Sequence, residues 1–541
     1  MPEIVWLNTI KQKEKRYLID MKKKVILISV ISVVIAFLAT SCFDEKFTDD
    51  PSHVLSFSTD IVKFDTIFTD KGTATLSFRV YNRNNRAVRI ESVRLADAEH
   101  SGFHINVDGE KGPEAGPIEL SAQDSLYVFV EANIDPTDVS TPFLVKDSIV
   151  FLTNGVKQDV KIEAYGQNAV VFRGGKIIST DTTFTDKRPF LIYDSLVVAS
   201  NATLSLTAGT TLYLHDKAFV RIDGRMRAQG TASKRVTLRG DRTDNVFPDL
   251  PYDFYSGQWG GVQFGPESYE NLWEYVDMHG SSWGIRIDSS DISRDKLTLQ
   301  HSIVHNSASH LISASHARIN GYNCQLTNAG GALLHLTACR SEWIHCTVAN
   351  LYNWDVISTP ALTLLEYSPA DSVAPEMQPR FLIANSIVTT RGLFMAPSEI
   401  EGLNISFDNC LFQVNGEDDE NFLSCVWEKD PAFVATGDNY IFDFRITESS
   451  PAREAGRSGQ RPVTVTAPRT NRIPKRAVAF YATALFGAER VQTSKRGEYP
   501  CAPTLQPAEQ QQGQQCRQKI ERQQGDPCRY RNGQEVAADT E

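Results

Sequence analysis

The feature that most constrains this chain is a short motif that returns at a fixed interval. His301-Ser302-Ile303-Val304-His305-Asn306 is followed by Asn323-Cys324-Gln325-Leu326-Thr327-Asn328 and then by His345-Cys346-Thr347-Val348-Ala349-Asn350, so Ser302, Cys324 and Cys346 are 22 residues apart each time. A fixed period of short β-type runs marks a solenoid, because one coil cannot bury its own apolar face and needs a coil stacked against it. Period-2 alternation puts Ser302 with Val304, Cys324 with Leu326 and Cys346 with Val348 on one side of each strand. Their small or apolar character makes that side the inward one. Asn306, Asn328 and Asn350 then share one corner of successive coils, where an amide side chain can satisfy turn backbone and the Asn above and below it. That is a structural ladder with no chemistry of its own.

The motif returns as Asn385-Ser386-Ile387-Val388 and Asn409-Cys410-Leu411-Phe412, at steps of 40 and then 24 residues. The long step predicts a loop of about 18 residues projecting from one coil between residues 351 and 380, where Pro360, Pro369, Pro375 and Pro379 discourage strand pairing. Upstream, the run Leu204-Ser205-Leu206-Thr207-Ala208-Gly209-Thr210-Thr211-Leu212-Tyr213-Leu214, followed by Val220-Arg221-Ile222-Asp223-Gly224, resembles the first coils of bacterial right-handed parallel β-helix proteins. Asp430-Pro431-Ala432-Phe433, with Ser450-Pro451-Ala452, resembles their closing strand. The resemblance covers residues 196–456 and implies an all-β chain with a β-helix and cap over residues 169–456.

Residues 54–168 read differently. Short alternating runs such as Val88-Arg89-Ile90 and Ser125-Leu126-Tyr127-Val128-Phe129-Val130 are separated by turn clusters such as Asn82-Arg83-Asn84-Asn85 and Thr153-Asn154-Gly155. That spacing predicts a β-sandwich. The run Phe78-Arg79-Val80-Tyr81-Asn82-Arg83-Asn84, with the later Ala164-Tyr165-Gly166, is similar to immunoglobulin-like domains of the ASPM/SPD-2/Hydin type, which implies a spacer or protein-binding module.

The two ends bound the location. Lys22, Lys23 and Lys24 precede an apolar run of 14 residues at 25–38, too short to span a bilayer and right for the core of a signal peptide. The run ends in Ala39-Thr40-Ser41-Cys42, which resembles the lipobox of bacterial lipoproteins. The resemblance implies acylation of Cys42, a signal peptide over 21–41, a tether over 42–53 and a gene-model extension over 1–20. Phe43-Asp44-Glu45-Lys46 resembles the acidic signals that export lipoproteins to the outer face of the outer membrane, leaving the periplasmic face and the cell surface both open. At the other end, ten of the residues from 506 to 534 are glutamine, and apolar alternation fades after residue 456. Residues 457–541 read as a low-order tail or as out-of-frame translation.

The net charge of −11 argues against nucleic acid as a partner, since a phosphate-backbone binder needs a basic field. Metal-site signatures are equally thin. There is no CxxC pair and no HExxH motif, and His301 and His345 lie two coils apart, roughly 9.6 Å, beyond the reach of one ion. Asp277, Asp288, Asp291 and Asp295 do not repeat at coil spacing. Cys324 and Cys346, one coil apart, suit buried thiols better than a disulfide, because their side chains point in parallel. Gly280-Ser281-Ser282-Trp283-Gly284 spells a nucleophile-elbow pattern, but its flanks are β-helix strands rather than a strand-to-helix turn.

One loop gathers polar chemistry: Asp241, Arg242, Asp244, Asp249 and Asp253, with Tyr252, Tyr255 and Trp259 interleaved. Several carboxylates on one loop could hold calcium through hard oxygen ligands, and aromatic faces beside them could stack on sugar rings. In the resembling pectate-lyase class, calcium-bound acids work with an Arg or Lys base, and Arg242 would take that role. A solvated loop whose aromatics cover the first coils is the plainer alternative. The expectation is therefore a lipid-anchored envelope scaffold that binds a glycan or an envelope protein through its loops. The alternative is a polysaccharide lyase or glycoside hydrolase, since the β-helix hosts both.

Overall fold

The computed structural model describes residues 47–456, except 70, 73, 74, 248, 249, 358 and 454, together with Met21 and Ser29. Cys42, Asp249 and the tail from residue 457 lie outside the described residues. Among the described residues, no helix is long and apolar enough to cross a membrane.

The N-terminal part is a two-sheet sandwich. Ser56–Phe57, Leu76–Tyr81, Ser125–Ala132, Phe103–Val107 and Glu110–Gly112 form one sheet, in that spatial order. Ile61–Phe68, Val156–Gln167, Phe143–Thr153, Val88–Leu95 and Glu114–Ala115 form the other, in which Ile61–Phe68 runs parallel to its neighbour and the remaining pairs are antiparallel. Alternation builds the core between them: Phe78, Val80 and Val128 face Ile90, Phe151 and Ile162 in one apolar cluster.

From Val170 the chain winds into a parallel β-helix of three sheets with ten, nine and ten strands. The first sheet runs from Val170–Phe172 to Leu411–Phe412, the second from Lys176–Ile178 to Met395–Ala396, and the third from Thr182–Phe184 to Phe422–Leu423. Ile303 pairs with Gln325 and Gln325 with Thr347, so the 22-residue repeat is the coil. Ser302, Val304, Cys324, Leu326, Cys346 and Val348 are all buried, as the alternation requires.

The corner between the third and first sheets explains the recurring dipeptide. His301, Asn323, His345, Asn385 and Asn409 all take φ between 48° and 57°, the left-handed region that reverses the chain in one residue. The next side chain turns inward, and its hydroxyl or thiol donates to the carbonyl two residues back: Ser302 to Gln300 at 2.9 Å, Cys324 to Tyr322 at 3.4 Å, Cys346 to Ile344 at 3.5 Å and Ser386 to Ala384 at 2.7 Å. Val276 fills the same corner one coil earlier, so the position demands a small inward side chain, and Ser or Cys adds a bond to the carbonyl. Cys324, Cys346 and Cys410 are free thiols.

Three expectations are corrected. Asn306, Asn328 and Asn350 stack in register, but their amides bond to main chain rather than to each other. Asn350 donates to the carbonyls of Ala329 (2.9 Å) and Gly331 (3.1 Å) and accepts from the Ala329 N–H (3.0 Å), because the left-handed φ of Asn306 and Asn328 turns coil backbone toward the amide. The long step is not one loop: residues 351–361 and 366–379 flank a regular strand, Leu362–Leu365, which keeps the second sheet continuous. The supposed closing strand does not extend the solenoid. Phe433–Thr436 pairs with Phe442–Ile446 as a separate hairpin, and Phe444 packs on Ala349 and Leu351, covering apolar positions on the outside of a coil.

Candidate functional site

The chain leaves the first sheet after Val236–Gly240 and rejoins the second at Val262–Phe264. Between them, the described residues of 241–261 form a long excursion that holds a short antiparallel pair, Asn245–Phe247 with Leu250–Pro251, and a 3-10 turn at Tyr252–Phe254. The loop lies along the edge of the solenoid, held by bonds that climb successive coils. The Gly257 N–H donates to the Ser281 carbonyl at 3.1 Å, and the Phe254 carbonyl accepts from Asn306 at 3.5 Å and from the Trp354 indole at 2.8 Å. The hydroxyls of Ser256 and Tyr352 meet at 2.6 Å. Tyr352 and Trp354 thus pack against the same edge.

Aromatic rings converge there from three separate segments. Tyr252 and Tyr255 lie 6.2 Å apart, Tyr255 and Trp354 4.9 Å, and Trp354 and Tyr440, from the turn of the C-terminal hairpin, 4.3 Å. The Arg242 guanidinium sits 4.1 Å above Tyr252 at one end. Tyr255 is 41% exposed. Trp259 is not part of this strip, contrary to its expected place on the glycan loop. It is fully buried in the solenoid core, its indole N–H donating to the His279 carbonyl at 2.8 Å, because a bridge between Trp259 and Ser281 already returns it to the coil.

The loop acids do not gather. Buried Asp241 pairs with Lys71 of the sandwich and with His215 Nδ1 at 2.8 Å. Asp244 accepts from Arg242 Nε at 2.6 Å, and the same pair holds the Arg242 guanidinium above its usual pKa, which is the wrong direction for a general base. Asp253 turns inward to Arg239 Nη1 at 3.0 Å. Among the described residues, Asp241, Asp244 and Asp253 form no common metal-ligating group.

A different cluster does form, on the outer face of the first sheet beneath the loop. Strand Val276–His279 alternates Val276 and Met278 into the core, which leaves Asp277 and His279 facing out. His305, on strand Ile303–Ser307, stands in register beside His279 one coil on. Asp277 Oδ1 lies 2.9 Å from His279 Nδ1 and 3.4 Å from His305 Nε2, while His279 Nε2 lies 3.4 Å from Asp253 Oδ1. Burial would raise the Asp277 pKa, but hydrogen bonds from His279 and His305 outweigh it and hold the carboxyl well below its usual range. Burial likewise opposes charge on His279, yet bonds to Asp253 and Asp277 push its pKa up to about 9.

Sequence reading missed this cluster because His279 and His305 are 26 residues apart rather than 22, the intervening coil being longer, and because Asp253 arrives from a loop. The signal that could have found it is the Asp-x-His alternation: Asp277-Met278-His279 puts two polar groups on one face of an otherwise apolar strand.

No protein-family model matches the chain, and no curated protein is significantly similar to it. Solved structures with partial likeness include a protein of unknown function from Porphyromonas gingivalis W83, at 11% identity and TM-score 0.16, covering 23% of this chain and 50% of that one. The VesB protease of Vibrio cholerae matches at 12% identity and TM-score 0.16, over 21% of this chain and 31% of that one. The periplasmic chaperone SfaE matches at 11% identity and TM-score 0.15, over 21% and 57%. Each alignment spans less than two thirds of the other protein, and at these scores the likenesses carry no functional argument.

Proposed function

We propose that this protein is a lipid-anchored protein of the bacterial outer membrane whose β-helix binds a glycan chain along the strip Tyr252, Tyr255, Trp354 and Tyr440. The observation behind this reading is the convergence of four rings from three departures from the repeat on one edge of the solenoid. Aromatic rings offer large, rigid, amphipathic contact area at small entropic cost, which suits stacking on sugar faces. Arg242 at the end of the strip supplies a donor for an acidic sugar. The lyase alternative is weaker, because its candidate base Arg242 is locked to Asp244 and keeps its proton.

Affinity electrophoresis through gels containing pectin, xylan, mixed-linkage glucan, dextran or lipopolysaccharide tests the binding. Retardation in at least one gel is expected, and Tyr255→Ala should weaken it by about threefold to tenfold, the worth of one ring contact. Free migration in every gel, or retardation untouched by both Tyr255→Ala and Tyr440→Ala, would refute the reading. The anchor rests on Cys42 at the end of the apolar run over residues 25–38. Cys42→Ser should move the protein from the membrane to the soluble fraction, because acyl chains supply the membrane affinity. Persistence in the membrane pellet would rule the anchor out.

A further inference from the structure

We propose that Asp277, His279 and His305 form a binding site for a divalent transition-metal ion, with zinc the best fit, and that Asp253 positions one of its ligands. The three side chains each offer one ligating atom, and these atoms lie within 4.8 Å of one another. Tetrahedral coordination with bonds of about 2.0–2.1 Å places ligand atoms about 3.3 Å apart. The observed separations of 2.9 Å and 3.4 Å from Asp277 Oδ1 bracket that value, and no two of the three ligand atoms are more than 4.8 Å apart. Two imidazoles and one carboxylate are a donor set that zinc accepts, leaving a fourth position for water or a ligand oxygen. The side chains of Asp277 and His305 are 26% and 24% exposed, which leaves that position a route to solvent.

The second, independent observation is the surrounding support. His279 has a carboxylate at each ring nitrogen: Asp277 at Nδ1 and Asp253 at Nε2. As an imidazolium the ring donates to both, and an ion bound at Nδ1 replaces only that one proton. With the remaining proton on Nε2 donated to Asp253, the Nδ1 lone pair is aimed at the ion on the side where the Asp277 carboxylate stands. An imidazole ligand whose other nitrogen donates to a carboxylate is the usual outer support of bound zinc. Here that carboxylate is itself fixed by Arg239. The ligands also stand on in-register strands of adjacent coils rather than on loops, which fixes their spacing before any ion binds. The site does not depend on the glycan reading, although Asp253 shares the 3-10 turn with Tyr252.

The test is a zinc titration of the full chain, purified in detergent and stripped of metal, in competition with a chromogenic chelator. One tight equivalent is expected. His305→Gln and His305→Ala should each weaken it more than tenfold, and Asp253→Asn, which removes only the outer support, by about tenfold. His335→Gln, on the second sheet, should leave it unchanged, and circular dichroism should show each variant folded. Cobalt in place of zinc should give the visible absorption of a tetrahedral site, lost in His305→Gln. The absence of a tight equivalent, or one that survives both His305 changes, would overturn the proposal and leave an imidazolium proton as the charge between the carboxylates.

Discussion

Asn350 is fully buried and makes four hydrogen bonds to backbone, three of them to the preceding coil and one from the Tyr352 N–H. It acts as a detached piece of strand, supplying an amide where coil backbone has turned away from its neighbour. Replacing Asn350 with Leu keeps the branched outline of the side chain but leaves two carbonyls and two N–H groups without this partner. The expected loss is about 1–3 kcal/mol, read as a lower urea midpoint. An unchanged midpoint would mean that water replaces the amide. The position of this residue was legible in the sequence because period 22 is a property of spacing, whereas its partners were not, because they depend on left-handed turns at Asn306 and Asn328. Tyr255 and Trp259 make the same point. Both lie in the loop's aromatic pattern, yet one is exposed and the other is core, since the chain regains coil register between them.

At the scale of elements, the corner between the third and first sheets turns a chemical preference into a repeat. The inward Ser or Cys caps the carbonyl two residues behind it, and the left-handed residue before it makes the turn. Burial pushes the thiols of Cys346 and Cys410 well above the usual pKa and that of Cys339 up to about 11. The thiolate is the reactive form, so these cysteines should resist iodoacetamide in the native protein and react once it is unfolded in urea. Peptide mapping by mass spectrometry gives the answer residue by residue, and prompt native labelling of Cys410 would contradict a closed corner. Regular strands were legible here, because alternation and period survive in the text. The two insertions of residues 351–361 and 366–379 were read as one, because the strand between them, Leu362–Leu365, carries no copy of the corner motif.

Across the whole molecule, the sandwich and the β-helix meet at the root of the candidate loop. Phe68 packs edge-on against Tyr213 at 4.7 Å, Thr243 donates to the Thr66 carbonyl at 2.7 Å, and Lys71 reaches Asp241. The loop is thus fixed by the sandwich at its base and by Trp354 further along, so its rings are held in place before any ligand arrives. Preorganisation of that kind lowers the ordering cost of binding. Fold class and domain order could be read from the sequence, because they follow from hydrophobic patterning. The strip could be read only in part, because Trp354 and Tyr440 are about 100 and 185 residues from Tyr255 and only the coiling of the chain unites them. The most direct measurement is a tryptophan-fluorescence titration of the full chain with the polysaccharide that retards it best. Trp259, Trp273 and Trp343 are fully buried and Trp283 and Trp427 half-buried outside the strip, so the response of Trp354 is isolated by comparison with Trp354→Phe. A saturable change that disappears in Trp354→Phe, with its binding constant weakened in Tyr255→Ala, is the predicted result. A response equal in wild type and Trp354→Phe, or none with any polysaccharide, would contradict glycan binding at this edge.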